Sequence, residues 1–238
     1  MAKYTNLKGL FTAIANAIRS KEGSTGKIVA DDFPDRIAAI QTHDTTIEDA
    51  LITGYGLTEY TNNRVSNIGA MRFYAEFTIS MSPLKKVRFD NVIRIGQEAF
   101  YNCGSLMEIV FPNVETIEAR AFLDCIRLKE VVFNKLIKIC NYAFSGCNNL
   151  ARVDINAAFI EENAFRGCFN LNTFIVRCTD ESPTSINTNV FEGTPIAYGT
   201  GYIYFYRSEV DKYKATDGWS TYASQIRAIE DYPEITGG

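Results

Sequence analysis

Residues 106–128 decide the fold, because the chain repeats their pattern. They read LMEIVFPNVETIEARAFLDCIRL, and residues 128–150 read LKEVVFNKLIKICNYAFSGCNNL. Both stretches fit L-x-x-V-x-F-x-x-V-x-x-I-x-x-x-A-F-x-x-C, with Ile or Leu in place of Val at some positions. Five leucines, at steps of 22, 22, 22 and 21 residues, open the successive copies: Leu84, Leu106, Leu128, Leu150 and Leu171. This fixed period predicts a solenoid, in which similar units stack in a row.

Weaker copies of the pattern flank the regular ones. The upstream copy keeps five apolar positions: Leu57, Tyr60, Val65, Ile68 and Phe73. There Arg72 and Glu76 hold the Ala and Cys positions. The downstream copy keeps Ile186 and Phe191, after an insertion that spans 180–185. Terminal units of a solenoid are expected to be atypical, so about six units, or rungs, of 21–27 residues are predicted.

The spacing within a rung predicts its local structure. In L-x-x-V-x-F the Val and Phe are two residues apart, so they lie on one face of a short strand. In I-x-x-x-A-F-x-x-C the apolar residues are four to five apart, which suits a helical turn over the inner face of the strand. We therefore expect an α/β repeat solenoid, with one strand and one helical turn in each rung. Stacking of the rungs builds a continuous core.

These residues resemble the BspA-type leucine-rich repeats, whose rungs read I-x-x-x-A-F-x-x-C-x-x-L. The resemblance covers about Leu57 to Phe205. The segment from Tyr213 to Ala223 is similar to a closing motif that follows such repeats, which implies a C-terminal cap. The family is associated with bacterial surface proteins and adhesion, so the resemblance also implies a binding role.

The first residues differ in kind from the repeats. An amphipathic helix with Thr5 or Asn6 as N-cap is predicted from apolar residues three and four apart: Leu7, Leu10, Phe11, Ile14 and Ile18. The segment from Leu10 to Pro34 resembles the N-terminal segment of tail-associated proteins in phages and prophages of gut Firmicutes. That resemblance implies an attachment module, with the helix as the seam of a homo-oligomer and a trimer favoured. We expect this module at 1–44, the solenoid at 45–206, and the cap and tail at 207–238.

Four of the six cysteines occupy one repeat position: Cys103, Cys125, Cys147 and Cys168. Equivalent positions on stacked strands lie about 4.8 Å apart, so four thiols span roughly 14 Å. A tetrahedral zinc site instead needs each sulfur about 2.3 Å from one ion. Parallel side chains also fit poorly with the disulfide dihedral angle. We expect small buried thiols in a tight core row, with Cys140 and Cys178 outside it.

Catalytic signals are sparse. The single histidine, His43, falls in the expected linker between the N-terminal module and the solenoid. The sequence contains no G-x-S-x-G, P-loop or H-E-x-x-H motif. We expect no enzymatic activity, no cofactor and no metal. A glycosidase built on two carboxylates stays open as an alternative, since 28 acidic residues always include some suitable pair.

The outward positions of the predicted strands form two rows. The first row places opposite charges side by side: Lys86, Glu108, Glu130, Arg152 and Thr173. The second row contains Val and Ile that we expect to be exposed: Arg88, Val110, Val132, Asp154 and Ile175. An apolar strip on an open sheet marks a candidate contact surface, although β-branched residues also simply favour strands. Tyr202, Tyr204 and Tyr206 in the last rung are further candidates, either for binding or for covering the open end.

Composition and charge exclude several classes of partner. The chain has a net charge of -4 with dispersed Lys and Arg, so no nucleic acid is expected. No apolar run approaches the roughly 20 residues that span a bilayer, and the first residues lack the apolar core of a signal peptide. The leading hypothesis is a non-enzymatic appendage of a virion tail or baseplate, assembled in the host cytoplasm, that binds a protein or surface glycan receptor. The alternative is a secreted adhesin on the bacterial cell surface.

Overall fold

A computed structural model describes residues 59–61, 66–69, 84–156, 159–177, 185–187 and 189–236. Several predictions concern residues outside these ranges: His43, Cys178, residues 180–184 of the insertion, and Leu57, Val65 and Phe73 of the upstream copy. The helix predicted from Leu7, Leu10, Phe11, Ile14 and Ile18 also lies outside them.

Each rung up to Ile186 contributes two parallel strands, a longer one and a shorter one, and one more longer strand follows them. The longer strands are β1 (Glu59–Thr61), β3 (Lys86–Arg88), β5 (Glu108–Val110), β7 (Glu130–Phe133), β9 (Arg152–Ile155), β11 (Thr173–Val176) and β13 (Tyr202–Phe205). The shorter strands are β2 (Asn67–Ile68), β4 (Arg94–Ile95), β6 (Thr116–Ile117), β8 (Lys138–Ile139), β10 (Phe159–Ile160) and β12 (Ser185–Ile186). The prediction of one strand in each rung is wrong, because the Ile position that was assigned to a helical turn lies in a second strand.

The strands stack in the order of the rungs. The longer strands form two parallel sheets, β1-β3-β5 and β7-β9-β11-β13, the second of which is extended by β14 (Ile226–Ala228), and the shorter strands form one sheet of six. The register follows the repeat, since Val87 pairs with Ile109 and Ile117 pairs with Ile139. Equivalent positions therefore lie side by side along the solenoid, as the period of the leucines predicts.

The third side of each rung is a run of turns, which we call the turn face (residues 96–104, 118–126, 140–148 and 161–169). The helix predicted there is wrong. Left-handed residues interrupt each run, with φ of 56° at Glu98 and 57° at Asn102. The amide of Phe100 donates to the carbonyl of Ala121 in the next rung at 2.7 Å, where a helix would place a bond within its own segment. Hydrogen bonds between rungs thus alternate with short turn bonds, such as the one from the Tyr101 amide to the Glu98 carbonyl at 3.1 Å.

The core is filled by the repeated apolar residues. Phe rings at the Ala-Phe position stack along the axis, with centroids 5.0 Å apart for Phe100 and Phe122 and 5.1 Å for Phe122 and Phe144. The Leu that opens each regular rung is fully buried. A fully buried Leu or Phe contributes about 1.5–3 kcal/mol. The repeated positions are therefore explained by packing.

The segment after the repeats adds one more strand and the α-helices of the described residues. Strand β14 (Ile226–Ala228) pairs with β13 and so extends the sheet of longer strands. Helix α1 (Val210–Ala215) places Tyr213 against Phe205, with ring centroids 3.9 Å apart. Trp219 packs edge-on against both rings and is fully buried. Helix α2 (Pro233–Thr236) ends the described chain.

Candidate functional site

The thiol row is part of the core, as predicted. Cys103, Cys125, Cys147 and Cys168 are all fully buried and form no disulfide. The Cys125 thiol donates to the carbonyl oxygen of Phe100 at 3.2 Å, and Cys168 donates to Phe144 at 3.1 Å. Burial raises the pKa of the Cys125 and Cys168 thiols well above the usual range. A protonated, buried thiol is a poor nucleophile and metal ligand, so the row links rungs and carries no chemistry.

The first outward row confirms lateral charge pairing. Lys86 lies opposite Glu108, with 2.6 Å between Nζ and Oε1. Arg152 lies opposite Glu130, with 3.1 Å between Nη1 and Oε1. Ion pairs at an exposed surface contribute little, typically below about 1 kcal/mol. These charges keep the sheet surface soluble and are not a site by themselves.

The second outward row divides into an open part and a covered part. Arg88 and Val132 are exposed, the latter to 46%, and Val110 is partly buried. Asp154 and Ile175 are buried, at 4% and 0% exposure. The prediction that Ile175 is exposed is wrong. Sequence reasoning missed this because the residues that cover Ile175 lie more than 50 positions later, in the C-terminal segment.

The C-terminal segment is what covers the second row. Ile229, Tyr232 and Ile235 pack over Ile175 and Tyr204 and close an apolar cluster there. The rings of Tyr204 and Tyr232 meet edge-on with centroids 5.3 Å apart. Because only the last rungs are covered, the strip stays open at Arg88, Val110 and Val132.

A charged network fixes the C-terminal segment onto the sheet. Asp154 accepts hydrogen bonds from Arg177 Nε at 2.6 Å and from Arg152 Nη2 at 2.9 Å. Arg152 Nη2 also donates to the carbonyl oxygen of Ile235 at 3.1 Å. The hydrogen bond to Asp154 raises the pKa of the Arg177 guanidinium, as does one to Tyr206. Asp154 is therefore a structural anchor for the tail, and its carboxylate is occupied.

The last-rung tyrosines have different surroundings. Tyr204 is buried under the tail, and Tyr206 is partly buried beside Arg177. Tyr202 is exposed, and the Arg227 guanidinium lies over its ring, 4.7 Å from the centroid. Of the three, Tyr202 alone presents its ring to solvent.

The structure shows a site that sequence reasoning missed, a shallow groove on the turn face. Its volume is about 800 Å³. We call it the turn-face groove and define it by six side chains: Tyr101, Arg120, Asp124, Tyr142, Arg166 and Phe169. These residues come from four consecutive rungs. Phe169 is exposed to 63%, unusual for an aromatic side chain with no partner to cover it.

Left-handed backbone builds the floor of the turn-face groove. Residues at two positions of each run adopt φ near +60°, among them Arg120, Asp124 and Tyr142. The second position becomes Gly146 and Gly167 in the later rungs, both at 71°. Glycine leaves room there, since Asp124 Oδ1 lies directly over Gly146.

The lining of the turn-face groove varies although the core beneath it repeats. Tyr101, Leu123, Ser145 and Arg166 occupy equivalent positions, since each follows the buried Phe of its rung. Stacking requires the Phe and not the residue after it. The lining residues can therefore vary without disturbing the packing of the core. Variable residues on a fixed scaffold are expected of a surface that binds a ligand.

In the ranges given above, no group of three or more His, Cys, Asp or Glu side chains is placed to hold a metal ion. Across the same ranges, the helices are too short and too polar to cross a membrane. The C-terminal helices are four and six residues long.

The solved structures that this chain is similar to include leucine-rich repeat proteins and a vaccine antigen. The match to the leucine-rich repeat protein of T. pallidum is 21% identical, with a TM-score of 0.44. It covers 58% of this chain and 77% of the T. pallidum protein. The pneumococcal vaccine antigen PcpA is 17% identical over 72% of this chain, with a TM-score of 0.48. A leucine-rich repeat protein from Eubacterium ventriosum is 24% identical over 58% of this chain, with a TM-score of 0.46. The chain spans 40% and 43% of the last two proteins.

Family membership rests on the repeats themselves. No curated protein matches the sequence. The model of the BspA type leucine rich repeat region matches six copies across residues 66–197, more than half of the chain. The match agrees with the number of rungs predicted from the leucine period and with the parallel strands of the fold. The chain belongs to the family of BspA type leucine rich repeat proteins.

Proposed function

We propose that the chain is a non-enzymatic recognition protein that binds its receptor through the turn-face groove. The observation that carries this proposal is the groove's lining of aromatic and charged side chains, which differ from rung to rung above a core that repeats. Hydrogen bonds between rungs hold the lining residues at fixed separations, so little conformational entropy is lost when a ligand binds. The receptor is a protein or a surface glycan.

The open part of the second row is a second candidate surface. Arg88 and Val132 remain exposed there, beside the paired charges of the first row. The strip is flat and holds few apolar side chains, whereas the turn-face groove is concave and contains three aromatic rings. Concave sites bury more of a ligand, so the groove is favoured.

The setting of this recognition role is proposed to be a phage or prophage tail or baseplate, with the bacterial cell surface as the alternative. The tail setting is supported by the resemblance of residues 10–34 to tail-associated proteins. The cell-surface setting is supported by the association of the family with surface and secreted proteins. Genes for tail, baseplate or lysis proteins beside the gene for this chain would favour the first. An upstream start codon that adds a leader peptide would favour the second.

Cell binding tests the recognition role and its setting together. Labelled full-length chain is titrated onto Firmicutes cells and onto animal epithelial cells, and bound label is measured by flow cytometry. A tail protein binds the bacterial cells saturably, and an adhesin binds the animal cells. Tyr101→Ala, which removes one ring from the groove, weakens binding in either case. Absence of saturable binding to both kinds of cell contradicts the recognition role.

Self-association is a separate proposal on the N-terminal helix. If Leu10 and Ile14 form the seam of a trimer, the full chain has three times the mass of the protomer by light scattering. The double variant Leu10→Asp, Ile14→Asp is then monomeric. Lys8→Asp, on the same segment, keeps the trimer. A monomeric wild-type chain contradicts the proposal.

A further inference from the structure

Asp124 is the charged side chain of the turn-face groove that lacks a partner. Arg120 pairs with Glu98 at 3.3 Å, and Arg166 pairs with Glu192 at 3.4 Å. Among the described residues, the Asp124 carboxylate accepts no hydrogen bond and joins no ion pair. Desolvation on burial raises the pKa of this carboxyl group. A partly desolvated acceptor without a donor is unfavourable, and a ligand that brings donors to it removes that cost.

Three aromatic rings share the turn-face groove with this carboxylate. Tyr101 and Tyr142 are partly buried, and Phe169 projects into solvent. Exposed rings beside polar groups suit a ligand with both an apolar face and a polar edge. Since the rings come from the first, third and fourth regular rungs, a ligand that meets all three spans three rung spacings of about 4.8 Å, or roughly 14 Å.

The charges of the turn-face groove argue for an uncharged ligand. Arg120 and Arg166 supply donors, and Glu98 and Asp124 supply acceptors, so the formal charges of the lining sum to zero. A cationic ligand would approach two guanidinium groups, and an anionic ligand would approach two carboxylates. An uncharged molecule whose groups both donate and accept hydrogen bonds avoids repulsion from the guanidinium groups and from the carboxylates.

We propose that the turn-face groove binds a neutral oligosaccharide. Sugar hydroxyl groups donate to Asp124, and the apolar faces of successive pyranose rings stack on Tyr101, Tyr142 and Phe169. The length of the groove selects a chain of several sugars over a single one. This inference rests on the proposed recognition role and adds the chemical class of the receptor.

Calorimetry with defined sugars tests the ligand class. The full-length chain is titrated with neutral hexasaccharides, namely α-1,4-glucan, β-1,4-glucan, β-1,3-glucan and β-1,4-linked N-acetylglucosamine. We expect at least one to bind, and Asp124→Asn and Phe169→Ala each to weaken it about tenfold, the change that corresponds to one lost hydrogen bond or ring contact. Asn keeps the shape of Asp and tolerates its left-handed backbone. Phe159→Ala, which removes another exposed ring from the shorter-strand sheet, leaves the affinity unchanged.

Several outcomes overturn this ligand class. One is that no hexasaccharide binds, and another is that Asp124→Asn and Phe169→Ala bind as well as the wild type. Binding of a lysine-rich peptide that depends on Asp124 also overturns it, since a cation would then be the ligand. In the cell assay, binding that survives periodate treatment of the cells but not protease treatment rejects the sugar and keeps the recognition role. Absence of any cell binding rejects the recognition role itself.

Discussion

The Sγ atom of Cys147 lies 3.2 Å from the carbonyl oxygen of Phe122 and donates a hydrogen bond to it. The two residues belong to successive rungs. The same bond joins Cys125 to Phe100 and Cys168 to Phe144. The cysteines are therefore lateral links in the core, alongside the stacked Phe rings. This explains why a small residue with a weak donor recurs at that position.

Replacement of a row thiol should destabilise the fold. Cys147→Ala removes the hydrogen bond and leaves a small cavity, so a loss of about 1–2 kcal/mol in the free energy of unfolding is expected. Urea unfolding followed by circular dichroism gives this value. Cys140→Ala is the matched control, because Cys140 is partly exposed and should cost less than about 0.5 kcal/mol. Equal losses in the two variants would show that the row has no special role.

Alkaline pH should also destabilise the fold through these thiols. Burial raises the pKa of the Cys125, Cys147 and Cys168 thiols in the folded state, first through desolvation. In the unfolded chain each thiol titrates near pH 8.5. The stabilisation is complete below that pH and declines above it, by about 1.4 kcal/mol per pH unit for each buried thiol. Urea unfolding at pH 7.5 and pH 10 measures the loss, which should be smaller in Cys147→Ala than in the wild type. An identical loss in both would exclude the thiol as the cause.

Asp154 and Glu130 both pair with Arg152, but at different depths, and their variants should differ. The side chain of Asp154 is 5% exposed and that of Glu130 is 52% exposed. Asp154→Asn leaves the guanidinium group of Arg177 without a countercharge and leaves Arg152 with Glu130 alone. The expected cost is about 2 kcal/mol, below that of a fully buried pair because both guanidinium groups remain partly exposed. Glu130→Gln should cost less than about 0.5 kcal/mol. Thermal unfolding compares the two, and a larger effect of Glu130→Gln would refute this assignment.

Two glycines on the turn face should respond unequally to alanine. Gly146 and Gly167 share φ of 71°, so a Cβ costs about 1–2 kcal/mol at either. Only at Gly146 does the Cβ also collide with Asp124 Oδ1, whereas at Gly167 it makes only ordinary van der Waals contact with Gly146. Gly146→Ala should therefore be the more destabilising in urea unfolding. In an Asp124→Gly background the two should become equal, and a persistent difference would place the cause elsewhere.

The parts of the fold that could be predicted are those that sequence spacing encodes directly. The leucine period gives the number of rungs and the register, so that Val87 lies beside Ile109. Residues two apart, such as Val131 and Phe133, share the buried face of a strand. The second strand was missed because a two-residue element such as Thr116–Ile117 has no periodicity of its own. The turns were missed because Glu98 and Arg120 adopt a left-handed backbone that their residue types do not predict. Glycine at these positions would have indicated it.

The candidate site was harder to predict than the fold. Ile175 has the sequence pattern of an exposed strand residue, and only tertiary packing of Ile229 and Ile235 covers it. The turn-face groove consists of residues that differ in type from rung to rung. Such positions belong to no repeated pattern, so the repeat does not predict the groove. Tyr101 and Phe169 lie 68 positions apart and share a groove because stacking brings the first and fourth regular rungs within reach of one ligand.

The most direct test of the account is to compare Phe169→Ala with Val132→Ala in the cell-binding titration. Both variants remove an exposed apolar side chain, one from the turn-face groove and one from the open strip of the sheet. Both should fold as the wild type does, because neither side chain is part of the core. The account predicts that Phe169→Ala shifts half-saturation about tenfold, the effect of about 1.4 kcal/mol, and that Val132→Ala leaves it unchanged. Loss of binding in Val132→Ala with full binding in Phe169→Ala would place recognition on the sheet and contradict the account.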